Sequence, residues 1–323
     1  MKVAILGSGA FGSALAITLA KTCETIFVWS KSKKLALELN KEMENRKYLP
    51  GVKFSKNIFI SSDLQKTCVS SEAILICIPS QKIYSFFSKN HSVIPDVPLV
   101  ICSKGIDSDY AMLQSEIIQK FLPNSKIAVM TGPSFASELG AGLPTALTLA
   151  CKNKNIRDKL RNLLSSKSLR IYTSSDIIGT QLGGALKNVV AIACGMVKSA
   201  NLGENARIAI MTRGFNEIIT LGKAMGCDLK TFYGLSGLGD LTLTCNSMLS
   251  RNFMFGLNFK NDSLADKKQT IEGIKTAKAA LKLMNQYGIE APIINSVHLI
   301  LNEKISLSKA MHELISRPLK DEF

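Results

Sequence analysis

The feature that most limits the fold of this chain is a run of three glycines directly after its first apolar segment. Residues Lys2–Leu6 are typical of a strand, and Gly7-Ser8-Gly9-Ala10-Phe11-Gly12 follows and opens a helical pattern. At this position Gly7 permits a tight turn, Gly9 lets the backbone approach a pyrophosphate, and Gly12 allows the helix to pack on the strand. The helix amino terminus offers N–H groups and a positive dipole end to phosphates. The motif therefore predicts a strand–helix–strand unit that binds a dinucleotide.

The end of the second predicted strand indicates which coenzyme is preferred. In many dinucleotide-binding folds an acidic residue about 20 residues beyond the glycines binds the ribose 2′-hydroxyl. Here the strand ends in Trp29-Ser30-Lys31, and Lys33 and Lys34 follow. A hydroxyl and cations can receive a 2′-phosphate, which a carboxylate would repel, so we predict that NADPH is accepted and favoured over NADH. The alternative, that Lys33 and Lys34 only begin a solvated helix, stays open.

The first half of the chain alternates short strand patterns with helical ones. Several strand segments are apolar at successive positions, which is typical of strands covered on both faces in a parallel sheet. Helical patterns lie between them, at residues 12–21, 33–44 and 110–120. This alternation predicts a doubly wound α/β domain. The predicted strands are residues 2–6, 25–29, 58–60, 74–78, 99–102, 127–131, 146–150 and 170–172.

The strand patterns end near residue 180, and apolar residues then recur at helical spacing. Breaks are expected at Gly226, at the glycine-rich segment 234–239 and at a polar loop over residues 258–267. We therefore predict a Rossmann-like, doubly wound α/β domain over residues 1–181, followed by an all-α domain over residues 182–323. Two helix faces are traced by Ile208, Met211, Phe215, Ile218, Ile219, Gly222 and Met225, and by Ile274, Ala277, Leu281 and Met284.

The charge of the chain points to an anionic partner. Lys and Arg number 40 and Asp and Glu 25, which gives a formal net charge of +15. Nucleic acid, an anionic membrane surface and small phosphorylated ligands would all fit such an excess. The basic residues form no tail and do not interleave with aromatic residues, so nucleic-acid binding has little support.

Cysteine usage and apolar runs bear on metal binding and on location. The eight Cys include no Cys-x-x-Cys pair and no nearby His, so no metal site is expected and a reduced compartment fits. The first residues lack the apolar core of a signal peptide. The longest apolar run, residues 189–197, is about half of the ~20 residues that a membrane-spanning helix requires. We expect a cytoplasmic protein without a membrane span.

Polar loops follow three predicted strands at their carboxyl ends, where open α/β sheets bind ligands. The loops are residues 79–81, 103–106 and 131–136. Lys104 comes directly after an apolar strand, a position that favours contact with an anion. Gly132 and Ser134 could offer a backbone N–H and a hydroxyl to the same ligand. We predict that these loops line one binding site.

One helical stretch of the second half places Lys187 and Asn188 among small apolar residues. Burial of an ammonium group lowers its pKa toward the range useful for proton transfer. Gly183 and Gly184, one turn earlier, would allow another group to approach the helix closely. We interpret Lys187 as catalytic, and a lysine that snorkels to the surface is the competing interpretation.

Two further segments carry groups that suit phosphate and coenzyme binding. Residues 234–241 are predicted to form a glycine loop that ends near the carboxylate of Asp240, and Ser250-Arg251-Asn252 follows. Arg binds phosphate in a bidentate manner, and Ser and Asn can complete the site. A simple helix start is the alternative for this segment. Glu272 could bind a cofactor hydroxyl or amide, and an exposed helix cap is an equally good interpretation.

Taken in order, these motifs resemble those of the bacterial type of NAD(P)-dependent glycerol-3-phosphate dehydrogenase. The resemblance runs over nearly the whole chain, and it implies reversible hydride transfer between NADPH or NADH and C2 of glycerol 3-phosphate. The family mainly reduces dihydroxyacetone phosphate to sn-glycerol 3-phosphate for phospholipid synthesis. The motifs are Gly7-x-Gly9-x-x-Gly12, Ser103-Lys104-Gly105, Gly132-Pro133-Ser134-Phe135-Ala136, Gly184-Ala185-Leu186-Lys187-Asn188, Met211-Thr212-Arg213-Gly214, Gly237-Leu238-Gly239-Asp240-Leu241 and Ser250-Arg251-Asn252.

The resemblance also implies roles for individual residues. Lys187 would be the proton acceptor, and the acid in the reducing direction, with Lys104 touching both substrate and coenzyme. Phe11 stands where the family more often has Trp or Tyr, and residues 198–203 are more polar than the family's version. The implied substrate positions are Lys104, Gly132, Ser134, Lys187, Asp240, Ser250, Arg251 and Asn252, and the cofactor positions are Gly7, Gly9, Ala10, Phe11, Gly12, Lys31, Lys104, Ala136, Arg251 and Glu272.

Other functions are left open beside this one. A related 3-hydroxyacid dehydrogenase would share the nucleotide fold and the helical second domain but act on a carboxylate substrate. A nucleotide-binding regulator or a basic nucleic-acid-binding protein belongs to another class, and DNA binding would weaken steeply with salt. The assembly is also open, with a homodimer as one candidate.

Overall fold

The eight segments predicted as strands come together in one sheet. The computed structural model describes residues 1–259 and 271–316. The strands are β1 (Lys2–Leu6), β2 (Thr25–Trp29), β3 (Glu44–Asn45), β4 (Leu49–Lys53), β5 (Ile58–Ser61), β6 (Ala73–Ile76), β7 (Leu99–Ile101), β8 (Ile127–Thr131), β9 (Thr145–Ala150) and β10 (Leu169–Ser174). Within the described residues, the main sheet has the order β5-β2-β1-β6-β7-β8-β9-β10.

Neighbouring strands of this sheet are parallel except β8 and β9, which are antiparallel. The chain winds from β1 through β2 to β5 and then returns to β6 on the other side of β1. The strand order therefore reverses between β1 and β6, the point at which doubly wound sheets bind ligands. The predicted Rossmann-like architecture is confirmed. The reversed direction of β9 was not predicted, because an apolar run does not specify the direction of its strand.

Successive residues of β1 face opposite sides of the sheet and are buried on both. Val3 and Ile5 belong to one core cluster, and Ala4 and Leu6 belong to another. Because helices cover both faces, apolar residues are required at every position of a central strand. This explains the continuous apolar runs in the sequence.

A short antiparallel hairpin, β3 with β4, precedes β5 and was not predicted. Glu44 accepts a hydrogen bond from the N–H of Gly51 (2.9 Å) and pairs with Lys53 Nζ (2.8 Å). The hydrogen bond from Lys53, with that from Gly51, lowers the pKa of Glu44 to about 2. The hairpin escaped prediction because β3 has only two residues and β4 contains Pro50 and Gly51, which weaken a strand pattern.

Helices flank the sheet, and all described secondary structure after β10 is helical. They are α1 (Ala10–Leu19), α2 (Lys33–Glu42), α3 (Leu64–Cys68), α4 (Ile83–Asn90), α5 (Gln114–Phe121), α6 (Ala136–Gly140), α7 (Lys154–Leu164), α8 (Ile177–Ser199), α9 (Gly203–Ala224), α10 (Leu229–Tyr233), α11 (Asp240–Asn246), α12 (Arg251–Leu257), α13 (Glu272–Gln286), α14 (Pro292–Leu301) and α15 (Leu307–Ile315). Short 3₁₀ turns cover Ser80–Lys82 and His91–Val93.

Helix α8 lies at the centre of the helical half. All its residues from Gly179 to Val197 are buried, and α9, α11, α12 and α13 pack around it. By length and composition α8 is the one described helix that could cross a membrane, but 89% of its apolar window is buried inside the protein. The helix begins at Ile177, a few residues before the boundary predicted at 181/182, and that boundary stays a prediction.

The predicted apolar face of α9 is correct at Ile218 and Gly222 but wrong at Ile208. Ile208 is 42% exposed. Its neighbour Arg207 takes the inward position instead and donates to Cys245 O (3.2 Å). A polar contact to the end of α11 therefore replaces an apolar one in this turn.

The glycine-rich segment after α10 is helical and not the predicted loop. Leu235–Gly239 forms a π-helical turn that leads directly into α11. A Cβ at Gly237 would lie 2.1 Å from Phe232 O, so this glycine serves close packing and does not break the helix. The loop predicted over residues 258–267 lies outside the described residues from residue 260 onward.

Helices α8 and α12 cross with their backbones in contact, which predicts a large effect of one methyl group. A Cβ at Gly195 would lie 2.1 Å from Phe253 O. We expect Gly195→Ala to lower the free energy of unfolding by about 1–3 kcal/mol, because the helices must separate. This loss outweighs the gain in helix propensity, about 1 kcal/mol. Urea denaturation followed by circular dichroism measures the change.

The matched control is Gly234→Ala. Its Cβ would lie 3.5 Å from Thr231 O, an ordinary contact, and Gly234 has φ of −88°. The free energy of unfolding should change by less than about 0.5 kcal/mol. Equal stabilities of Gly195→Ala and the unchanged protein would show that the crossing is not tight.

Candidate active site

The glycine motif forms a turn between β1 and α1 that requires glycine for two different reasons. Gly7 has φ of 121°, and its N–H donates to Trp29 O (3.0 Å). A Cβ at Gly12 would lie 1.9 Å from Gly7 O, whereas a Cβ at Gly9 would meet nothing within 4 Å. Gly9 is the N-cap of α1 and, as a glycine, has no side chain to cap the helix. The turn thus presents a helix amino terminus next to open space, which fits a pyrophosphate.

Three other predicted cofactor positions lie at the starts of two helices. Ala10 and Phe11 are half-buried in the first turn of α1, and Ala136 is half-buried at the start of α6. Phe11 and Ala136 pack against the same core cluster. The structure therefore brings the start of α1 and the start of α6 to one side of the sheet.

The end of β2 separates the residues that were predicted together for the 2′-phosphate. Ser30 is 1% exposed, and its hydroxyl donates to Ser32 O (3.4 Å). Ser32 caps α2 by accepting from Leu35 N (3.2 Å), and Lys33 and Lys34 lie exposed in the first turn of that helix. The solvated-helix alternative thus describes Lys33 and Lys34. Lys31, which is also exposed, is the predicted cation that lies outside the helix.

Two lysines from different halves of the chain meet at one carboxylate, a group that we name the Lys–Asp–Lys cluster (Lys104, Asp240 and Lys187). Lys187 Nζ donates to Asp240 Oδ1 (2.5 Å), and Lys104 Nζ donates to Asp240 Oδ2 (2.7 Å). Asp240 is 1% exposed and Lys187 is 6% exposed. Lys187 is therefore buried with a partner and does not snorkel.

The environment of Lys187 shifts its proton affinity. Burial lowers the pKa of Lys187 to about 8; the Asp240 carboxylate opposes this shift, and the charge of Lys104 adds to it. A lysine with this pKa exchanges a proton readily near neutral pH. This outcome agrees with the prediction made from the apolar surroundings of the residue.

Two threonines that were not predicted as site residues bond to the cluster. Thr244 Oγ1 accepts from Lys187 Nζ (2.6 Å) and donates to Asp240 O (2.6 Å). Thr131 Oγ1, at the end of β8, donates to Asp240 Oδ2 (3.4 Å). Thr244 follows Asp240 by four residues, one helical turn, and this spacing indicates that the two side chains are neighbours. Thr131 had no signal beyond its place at the end of a strand.

Gly183 and Gly184 allow the surrounding elements to close on α8. A Cβ at Gly183 would lie 2.4 Å from Ser236 O, in the π-helical turn. A Cβ at Gly184 would lie 2.6 Å from Thr131 Oγ1. The predicted close approach is therefore made by the two segments that carry Asp240 and Thr131 to Lys187.

The loop after β8 lies beside the second lysine. Lys104 Nζ donates to Gly132 O (2.9 Å) as well as to Asp240. Ser134 Oγ also donates to Gly132 O (3.0 Å). Gly132 has φ of 144°, so the turn that brings its carbonyl to Lys104 depends on glycine. The predicted loops after β7 and β8 thus line one site.

The Ser250-Arg251-Asn252 segment begins α12, and its side chains lie in different environments. Ser250 is buried and caps the helix by accepting from Phe253 N (3.2 Å). Asn252 donates to Asn188 Oδ1 (3.0 Å) and accepts from the N–H of Gly273, the second residue of α13 (3.0 Å). Arg251 is exposed. The helix-start interpretation is correct for this segment, and Arg251 keeps an exposed guanidinium.

Glu272 connects the helical half to the carboxyl edge of the sheet. It begins α13, and its carboxylate accepts from the Ser80 hydroxyl and from Ser80 N (3.4 Å). A Cβ at Gly105 would lie 2.8 Å from Glu272 Oε2. Burial raises the pKa of Glu272, against the Ser80 hydrogen bonds and the charge of Arg251. Glu272 is therefore not an exposed helix cap. Its carboxylate bonds to the loop after β6 and lies against the loop after β7.

Cysteine and acidic side chains form no other candidate centre in the part of the chain that the structure describes. No group of three or more His, Cys, Asp or Glu residues there could hold a metal ion. The eight cysteines are free thiols.

Comparison with known proteins gives the same picture over the whole chain. Family models described as the N-terminus and the C-terminus of NAD-dependent glycerol-3-phosphate dehydrogenase match residues 2–157 and 176–312. A relative from Ruegeria sp. (strain TM1040), named glycerol-3-phosphate dehydrogenase (NAD(P)+), is 43% identical over 323 residues, 100% of both chains. A relative of the same name from Chelativorans sp. (strain BNC1) is 40% identical over 99% of this chain and 98% of its own.

A solved structure shows the same arrangement of elements. The crystal structure of glycerol-3-phosphate dehydrogenase from Coxiella burnetii has a TM-score of 0.92 to this chain at 34% identity. The match covers 98% of this chain and 99% of the other. Both family models and the full-length relatives point to one family. The chain belongs to the NAD-dependent glycerol-3-phosphate dehydrogenase family.

Proposed function

We propose that this chain catalyses the reversible reduction of dihydroxyacetone phosphate to sn-glycerol 3-phosphate with NADPH or NADH. The observation that carries the proposal is the Lys–Asp–Lys cluster, which places two ammonium groups at the carboxyl edge of a dinucleotide-type sheet. Reduction of a ketone leaves negative charge on its oxygen, and fixed cations stabilise that charge. The full-length relatives are named for this activity and not for a 3-hydroxyacid dehydrogenase.

The coenzyme supplies the hydride when it is bound. The turn from Gly7 to Gly12 would hold its pyrophosphate, because α1 presents its amino terminus beside the open space at Gly9. Lys31, exposed beyond β2, would pair with a 2′-phosphate. Ala136 and Glu272 would contact the coenzyme further along the same edge of the sheet.

Each lysine of the cluster retains capacity to bind substrate. An ammonium group has three N–H donors. Lys187 directs two of them to Asp240 and Thr244, and Lys104 directs two to Asp240 and Gly132. The third donor of each lysine would meet the carbonyl oxygen of the substrate. Lys187, whose pKa is about 8, would give its proton to that oxygen in reduction and accept it in oxidation.

The phosphate of the substrate would be bound by Arg251, whose guanidinium is exposed at the start of α12. A bidentate guanidinium–phosphate contact fixes the distance of the carbonyl carbon from the coenzyme. Ser250 and Asn252, which bond to α12 and to α8, would keep Arg251 in place. Gly132 and Ser134 would contact the substrate from the sheet side.

We also propose the cellular setting that this activity implies. The product would supply glycerophospholipid synthesis, and the enzyme would act in the cytoplasm. A homodimer is the assembly that we propose.

Reduction should depend on pH through Lys187. Because burial lowers the pKa of Lys187 to about 8, the ammonium form that acts as an acid is lost as the pH rises through that value. We expect kcat/KM for dihydroxyacetone phosphate to fall about tenfold per pH unit above about 8, and kcat/KM for glycerol 3-phosphate oxidation to rise through the same pH. Initial rates in both directions measure this, and a flat profile for reduction between about pH 7.5 and 9.5 would contradict it.

Removal of the ammonium group should abolish turnover without loss of coenzyme binding. In Lys187→Met the apolar stem is kept, and Asp240 stays paired with Lys104. We expect kcat to fall by about 10²–10⁴-fold, the usual contribution of an acid–base group. The control is Lys198→Met, an exposed position on the same helix, which should leave kcat unchanged. A Lys187→Met enzyme with more than about a tenth of the normal kcat would exclude the catalytic role.

Lys31 should affect one coenzyme and not the other. We expect Lys31→Ala to raise KM for NADPH about tenfold, because a charge-assisted contact of this kind contributes roughly 1.5 kcal/mol, and to leave KM for NADH unchanged. Lys34→Ala, in the exposed first turn of α2, is the control. Steady-state kinetics with both coenzymes provide the test. A strong preference of the unchanged enzyme for NADH would refute the prediction.

A further inference from the structure

The hairpin β3–β4 reaches the glycine turn through one buried side chain. Asn45 is 1% exposed. Its Nδ2 donates to Ser8 O (2.9 Å) and to Ser13 Oγ (2.8 Å), and its Oδ1 accepts from Tyr48 N (3.2 Å). One amide therefore connects the second residue of the turn, the helix α1 and the hairpin itself.

The bond to Ser8 fixes the orientation of a peptide group. The carbonyl of Ser8 and the N–H of Gly9 belong to the same peptide, and in a trans peptide they point to opposite sides. No cis peptide occurs among the described residues. Because Asn45 holds the Ser8 carbonyl toward the hairpin, the N–H of Gly9 is turned away from it. Gly9 borders open space, since a Cβ there would meet nothing within 4 Å.

Several contacts fix the position of the hairpin, and they therefore also fix the position of Asn45. Glu44 binds Gly51 N and Lys53 Nζ across the two strands. Leu49 packs on α6, where a Cβ at Gly140 would lie 2.9 Å from Leu49 Cδ2. The hairpin thus connects the glycine turn with the helix that begins at the cofactor position Ala136.

We propose that Asn45 is a positioning residue for the coenzyme pyrophosphate, because it holds the Ser8–Gly9 peptide with its N–H directed toward the phosphates. The inference rests on the proposed function in one respect, that the turn binds NADPH or NADH. Without Asn45 the peptide can rotate, and coenzyme binding must then order it. Since both coenzymes contain the same pyrophosphate, loss of Asn45 weakens both by the same factor. This distinguishes Asn45 from Lys31, which acts on NADPH alone.

A second asparagine, which bonds near the carboxyl end of α1, provides a matched control. Asn57 Nδ2 also donates two hydrogen bonds, to Ala20 O (2.9 Å) and Cys23 O (3.0 Å). These bonds lie at the carboxyl end of α1, about 15 Å from the glycine turn at 1.5 Å per residue. Asn57→Ala therefore removes a similar pair of bonds from the same domain without touching the turn.

Fluorescence titration with NADPH and with NADH gives dissociation constants for the full-length enzyme and its variants. We expect Asn45→Ala to raise both constants about tenfold, which corresponds to roughly 1.4 kcal/mol, with their ratio unchanged. KM for dihydroxyacetone phosphate should change less than about twofold, on the same scale. The isosteric Asn45→Asp keeps the acceptor for Tyr48 N but sets a carboxylate against the Ser8 carbonyl, so it should raise both constants further. It provides the comparison if Asn45→Ala does not fold.

Two results would overturn the role of Asn45. One is a set of dissociation constants for its variants within about twofold of the unchanged enzyme. The other is an equal loss of affinity in Asn57→Ala. An unchanged enzyme that binds neither coenzyme would instead refute the proposed function, so the two failures can be told apart.

Discussion

The site depends on one buried carboxylate. Asp240 accepts hydrogen bonds from Lys187 and Lys104, and without it two ammonium groups would lie close together in a largely buried site. Removal of one partner from a buried ion pair typically costs about 3–5 kcal/mol, because a charge is left without compensation. The fold therefore has to place the Asp240 carboxylate accurately between the two ammonium groups.

Several features of the chain follow from that requirement. The π-helical turn before Asp240 packs directly on α8 because Gly183 has no side chain. Arg207 donates to the carbonyl of Cys245 near the other end of α11. The sheet contributes Lys104 and Thr131 from the ends of β7 and β8, while α8 contributes Lys187. The site thus exists only where the two halves of the chain meet, and the contact of Glu272 with Ser80 joins them at the same edge.

Much of this could be predicted from sequence because the signals were local. The glycine turn needs its three glycines at fixed spacing, the central strands need apolar residues on both faces, and a lysine within an apolar helix needs a partner. The features that were not predicted depend on tertiary contacts. The direction of β9, the hairpin that carries Asn45 and the inward turn of Thr131 leave no local pattern. The segment 234–239 was misread because glycine permits close packing as well as loops, and sequence does not distinguish the two uses.

We propose that the Lys–Asp–Lys cluster stabilises and protonates the ketone oxygen of a phosphate ester while the coenzyme, when bound, supplies the hydride. Oxidation of NADPH at 340 nm, followed with dihydroxyacetone phosphate and with a 3-oxo acid of similar length, tests it most directly. We expect rapid oxidation of NADPH with the phosphate ester and a kcat/KM at least about 100-fold lower with the carboxylate, since a site built for one anion leaves its groups unpaired with the other. No oxidation with dihydroxyacetone phosphate, or faster oxidation with the 3-oxo acid, would contradict this role of the cluster.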